Sequence, residues 1–289
     1  MSARPAYDTG HVVSTDGTRI GYRRMGDGPG LLILHGGALG SQHYLKLAAL
    51  LADEFTVYLP DRRGRRLSGP YGDHYSIRTE DEDLAALVAA TGARYAFGPA
   101  DGGLFALHAS MSVPELERVA VYEPVLFVGQ PGTDEFVRVI ERFNERVDRG
   151  DVVGAAVGLT KDSEASKLVS AVPDAVLRPL FRLALWADAW WVKGDYTPLR
   201  DLIPTLRPEL AEVRATEGTL DDYRKVSARV LLIRGGKAQP LFTGTLDALH
   251  RVLPVSDLVV IPGLHHGSAQ DQGNPQAIAD VIKPFFTAP

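Results

Sequence analysis

Residues 97–103 of this 289-residue chain read Phe-Gly-Pro-Ala-Asp-Gly-Gly. The spacing is that of a sharp strand-to-helix turn, G-x-S-x-G, which exposes a nucleophilic serine between small neighbours. Ala100 stands at the serine position, and a methyl group cannot attack a carbonyl. Two other segments carry groups that such a turn would need. His35-Gly36-Gly37-Ala38 follows the apolar run 31–34. A glycine-lined turn there aims backbone N–H groups at a developing oxyanion. The expected donors are the N–H of Gly37, with Ala38 as the alternative, and the N–H of Asp101, directly after position 100. Gly263-Leu264-His265-His266 lies between the final strand-like run and the final helical pattern. The chain order nucleophile, acid, histidine puts a general base near the C-terminus, and the G-x-x-H spacing selects His266 over His265. The orienting acid should follow a strand end. The loop 234–240 has no carboxylate, whereas Glu123 ends the run 119–122 and is the candidate.

These residues need a scaffold of strands with loops at one end. Short apolar runs alternate with helical patterns, as in repeated strand–helix–strand units. The runs 31–34, 55–59, 94–97, 119–122, 228–233 and 257–261 read as strands, and 76–90, 104–110 and 275–286 as helices. The expected fold is α/β, a doubly wound, mostly parallel sheet formed by residues 1–124 and 226–289. Residues 125–225 are rich in helix formers and lack strand-like runs, so they read as an inserted helical cap. All three tryptophans, Trp186, Trp190 and Trp191, fall in one helical stretch of that insertion, with Tyr196 just beyond. Facing the sheet, they would line a large aromatic pocket, and together with His35 they are the expected substrate contacts. Because Trp186 and Trp190 are spaced i, i+4, they could equally form the insertion's own core.

Composition narrows the partners. A net charge of −5 gives no electrostatic reason to expect nucleic acid or an anionic membrane. Without cysteine there is no disulfide, thiolate metal site or thiol nucleophile. No His/Asp/Glu cluster has ligand spacing, so no metal or other cofactor is expected. The N-terminus lacks the apolar core of a signal peptide, and no apolar run approaches the ~18 residues of a membrane span. A cytoplasmic protein that takes a hydrophobic or aromatic small molecule is the expectation, and a homodimer is compatible with it.

From near residue 10 to its end the chain resembles the α/β-hydrolase fold family. The marks are His35-Gly36-Gly37, the turn from Asp61 to Gly69, the elbow at 98–102, Tyr122-Glu123-Pro124 and Gly263-Leu264-His265-His266. Members usually place the acid after the strand equivalent to 228–233. A subset, including some haloalkane dehalogenases, places it after the strand equivalent to 119–122, and Glu123 is similar to that subset. Residues 125–225 resemble the family's cap, which covers the pocket and sets specificity. The resemblance implies hydrolysis of an ester, thioester or lactone-type bond in a hydrophobic small molecule. Position 100 would be the nucleophile, His266 the base and then the acid, and Glu123 its partner. Asp101 falls one residue late for the aspartate nucleophile of epoxide hydrolases and dehalogenases. Ala100 leaves three readings open. One is a hydrolase whose serine has been replaced by alanine. Another is a non-hydrolytic enzyme, a lyase, cyclase or cofactor-free oxygenase, that uses His266 directly as a base. The third is a catalytically dead binding protein.

Overall fold

The run from Gly30 to Ile33 has no polar side chain, and the sheet gives it no exposed face. The computed structural model describes residues 5–162 and 171–288. Its eight strands are β1 (Asp8–Val13), β2 (Arg19–Met25), β3 (Gly30–Ile33), β4 (Thr56–Pro60), β5 (Ala93–Pro99), β6 (Arg118–Tyr122), β7 (Arg229–Gly235) and β8 (Ser256–Ile261). They form one sheet in the order β1-β2-β4-β3-β5-β6-β7-β8. β1 and β2 pair antiparallel at one edge, and β2 pairs antiparallel with β4. Every pairing from β4 to β8 is parallel. Parallel strands buried on both faces read as continuous apolar runs, which explains the sequence of the central strands.

Side chains alternate across this sheet into two cores. Leu31, Ile33, Phe97 and Ile233 pack under the helices Leu45–Leu51 and Pro275–Thr287. Leu32, Ala96, Val121 and Leu232 pack on the other face, against Ile77–Thr91, Ala100–Ala109 and Pro240–Val252. The helix Ile77–Thr91 starts at a Ser76–Thr79 capping box. It ends at left-handed Gly92, whose N–H closes on Val88 O at 2.9 Å. The chain leaves β3 towards β4 on one side and later crosses back to β5 on the other. Loops diverging at such a reversal open a crevice beyond the carboxyl ends of the strands.

Among the described residues between 125 and 225 there is no strand. Helices Thr133–Asp148, Val152–Asp162 and Asp174–Trp191 build a small core of their own from Phe143, Ala155, Ala156 and Leu185, completed by Ile203. The next long helix, Leu206–Ala215, sends Leu210 and Val213 into the core of the sheet. The tryptophans do not follow the expectation that they line a pocket or fill a core. Trp186, Trp190 and Trp191 are 62%, 66% and 76% exposed. Leu177, Phe181 and Leu185, at i, i+4 and i+8, face inward on Asp174–Trp191. Trp186 and Trp190 are one residue, about 100°, further round the helix. They stack on each other with ring centroids 6.0 Å apart. Tyr196 is buried on the sheet, with Arg23 5.2 Å from its ring. Among the described residues no helix is long and apolar enough to cross a membrane.

Candidate active site

β5 runs into its helix through Gly98-Pro99-Ala100, and the turn is as tight as the glycines imply. A Cβ on Gly98 would lie 2.5 Å from the backbone of Gly102, and one on Gly102 would strike the carbonyl of His35. Ala100 is held at φ +50°. Among the described residues only two other non-glycine residues have positive φ, Ala38 at +54° and Glu123 at +46°. This left-handed region costs an L-residue roughly 1–2 kcal/mol. All three strained residues follow central strands, β3, β5 and β6, on the loops that border the crevice.

Glu123 is fully buried. Its own N–H donates to Ile233 O at 2.9 Å, which continues the β6–β7 register into the loop. Its Oε1 accepts the Gly235 N–H at 2.9 Å, and its Oε2 lies 2.9 Å from His266 Nδ1. A carboxylate at Nδ1 selects the tautomer with the proton there and leaves Nε2 as the basic nitrogen. The His266 ring lies flat on Phe242, centroids 4.1 Å apart and 8° from parallel. The ring is therefore fixed from two directions. His265 is turned elsewhere: its ring accepts the Gly267 N–H, and its carbonyl accepts the Tyr122 hydroxyl at 2.8 Å.

Of the three expected oxyanion donors, Gly37, Ala38 and Asp101, the structure ties up one. Gly37 donates its N–H to Asp101 Oδ1, so it is not free for a substrate oxygen. Asp101 Oδ2 accepts Arg62 Nη1 at 3.0 Å. Burial raises the Asp101 carboxyl above the ordinary range, against the lowering pull of Arg62. No backbone acceptor takes the N–H of Ala38 or of Asp101 itself among the described residues. His35 is also not a substrate contact. It is fully buried, its Nδ1 reaches Gly36 O at 2.9 Å, and its Nε2 accepts the Arg62 N–H at 3.0 Å. Burial, with Arg65 and Arg62 nearby, holds its imidazole well below the ordinary value, so it is neutral and structural.

Behind Asp101 lies a charge cluster whose arginines, Arg62 and Arg65, belong to the turn from Asp61 to Gly69. Arg62 meets Glu80 at 3.0 Å, Asp101 at 3.0 Å and Glu209 at 3.3 Å, with its guanidinium 4.4 Å from the Phe105 ring. Arg65 also pairs with Glu209, and Tyr71 donates to Glu209 at 3.0 Å. Burial would raise the Glu209 carboxyl, but Arg62 and Arg65 hold it below the ordinary range. The sequence marked that turn, but not the carboxylates of Glu80 and Glu209 that meet its arginines.

Above these groups is a cavity of about 720 Å³. Its polar wall carries Gly37, Ala38, Ala100, Asp101 and His266. Its apolar wall includes Phe136, Ile140, Phe143, Leu159, Leu206 and Leu210, all from the helices that follow β6. The structure thus brings Ala100, Asp101, Ala38 and His266 to one cavity, with Glu123 behind His266. It leaves His35 in the core and the tryptophans on the surface.

Comparison with known proteins matches this architecture. The chain is 26% identical over 258 residues to a 2-(acetamidomethylene)succinate hydrolase of Mesorhizobium japonicum, covering 86% of this chain and 84% of that one. A shorter match, 35% over 97 residues, links it to a pimeloyl-[acyl-carrier protein] methyl ester esterase of Xanthomonas campestris, over 34% of this chain and 37% of that one. Among solved structures, an alpha/beta hydrolase from Sphaerobacter thermophilus superposes with a TM-score of 0.71 at 26% identity, covering 96% of this chain and 100% of that one. The model of the alpha/beta hydrolase family matches residues 31–281, and the chain belongs to that family.

Proposed function

We propose that the chain is a hydrolase-family enzyme that works without an acyl-enzyme, using His266 as a general base on a hydrophobic small molecule. The observation that carries this reading is the Glu123–His266 pair, complete at 2.9 Å, beside a cavity where the nucleophile position is Ala100. A binding protein has no use for a buried carboxylate aimed at an imidazole. In this reading Nε2 takes a proton from an acidified C–H or O–H of the substrate. That proton transfer contributes roughly 10²–10⁴ in rate, and Glu123 stabilises the imidazolium that results. A substrate anion that delocalises its own charge depends least on the missing Gly37 donor. The helices from 133 to 215 act as the cap, and Phe136, Phe143 and Leu206 favour a ring-bearing or branched apolar substrate.

Hydrolysis of an ester, thioester or lactone bond is the second reading, favoured by the family match. The same base would then activate water. The test is solvent deuterium exchange into a panel of enolisable aryl ketones and lactones, followed by NMR. Exchange by the unaltered chain that falls at least ~10²-fold in His266→Ala and persists in Ala100→Ser supports the reading. Exchange that His266→Ala leaves unchanged rules it out.

A further inference from the structure

We infer that the Asp101 carboxylate occupies the oxyanion hole, so that acyl chemistry is closed at two residues, Ala100 and Asp101, and not at one. An oxyanion hole in this fold needs the N–H of the residue after the nucleophile and an N–H from the loop after β3. The Gly37 N–H, the first of the two candidate loop donors, is already held by a protein carboxylate oxygen. That oxygen stands where the negatively charged oxygen of a tetrahedral intermediate would stand. A substrate oxyanion would meet a like charge at the site built to receive it.

The cluster behind Asp101 explains why the carboxylate stays. Its second oxygen is tied to Arg62, and its side chain is buried. The same cluster explains why its loss is tolerable. Three carboxylates, Glu80, Asp101 and Glu209, face two guanidiniums, Arg62 and Arg65. Without Asp101 the balance is two against two. Arg62 keeps both hydrogen bonds from its Nε to Glu80, the bond from its Nη2 to Glu80, and the approach to Glu209. A small residue at position 101 should therefore free the Gly37 N–H without stranding a buried cation.

The consequence is a specific epistasis. Serine at position 100 alone gives a nucleophile whose oxyanion hole lacks the Gly37 donor; serine there without the carboxylate gives both. Loss of a single oxyanion donor costs roughly 10²–10³ in rate, and its return should recover a similar factor.

The first test needs no chemistry at His266. Phenylacetate is titrated calorimetrically into the unaltered chain and into Asp101→Ser, with Asp101→Ala as the second variant and melting curves to check folding. Binding at least ~10-fold tighter in either folded variant is expected, because the freed Gly37 N–H replaces a carboxylate. Affinity no tighter than that of the unaltered chain overturns the inference.

The second test rests on the reading of His266 and Glu123 as a working pair. Ala100→Ser and Ala100→Ser/Asp101→Ser are treated with an aryl fluorophosphonate. The serine oxygen bonds to phosphorus, fluoride leaves, and the serine proton passes to His266. Labelling at least ~10² faster in the double variant is expected. Equal labelling of the two variants overturns the inference. Tighter phenylacetate binding together with an unlabelled double variant upholds the blocked hole and removes the His266 reading instead.

Discussion

Glu123 divides its two oxygens between a backbone N–H and an imidazole, and its backbone is held at φ +46° to do so. The Gly235 bond fixes the carboxylate, so the direction of the His266 bond is set before any substrate arrives. Glu123→Gln keeps the shape and loses the charge that stabilises an imidazolium. The expected result is a fall of about 10²-fold or more in His266-dependent exchange, with the fold intact by circular dichroism. His35 gives a pH prediction of a different kind. Burial holds its pKa well below the ordinary 6.5, so the folded chain binds fewer protons than the unfolded one. The stability this represents is present above about pH 6.5 and is lost as pH falls towards the folded value, by at most ~1.4 kcal/mol per pH unit. Urea unfolding between pH 7 and 5 should show that slope, and His35→Gln should flatten it.

At the scale of elements, the helix Asp174–Trp191 has two apolar stripes and buries one of them. The i, i+4 spacing of Trp186 and Trp190 shows that they share a face but not which face the fold covers. The stripe Leu177-Phe181-Leu185 decides it: Leu177 is buried, and Phe181 and Leu185 join Phe143 and Ala155 in the small helical core. All three tryptophans should therefore be quenched by iodide, and a ligand in the cavity should leave their emission unchanged. Emission that shifts on ligand binding would put them back in the site. The six strands from β3 to β8, the elbow and the His266 loop were legible because each is a local pattern: an apolar run, a crowded glycine turn, a histidine after a strand end; β1 and β2 were not, because polar residues interrupt them. The fate of the Gly37 N–H was not legible. Spacing places a donor, but the acceptor that takes it is a side chain 64 positions away. The same holds for Arg62, whose partners at 80, 101 and 209 come from three separate helices.

Across the whole molecule, the buried charges join the helices over the cavity to the sheet beneath it. Glu209 stands on Leu206–Ala215, a helix that also lines the cavity through Leu206 and Leu210, and it binds Arg62 and Arg65 on the loop after β4. Glu209→Gln leaves those buried guanidiniums short of a counter-charge. The cost expected is about 3–5 kcal/mol in urea unfolding, because breaking a buried pair strands a charge. Arg94→Ala removes a pair that is open to water and should leave the unfolding midpoint nearly unchanged.

The central claim, that Glu123 holds His266 as a base with Nε2 free, can be read without knowing the substrate. Long-range ¹⁵N–¹H spectra of the imidazole rings at pH 8, with His266 assigned by the signals lost in His266→Ala, report which nitrogen carries the proton. The result expected is a proton on Nδ1 and a bare Nε2, with that preference lost in Glu123→Gln. A proton on Nε2 with a bare Nδ1, or a tautomer indifferent to Glu123→Gln, would contradict it.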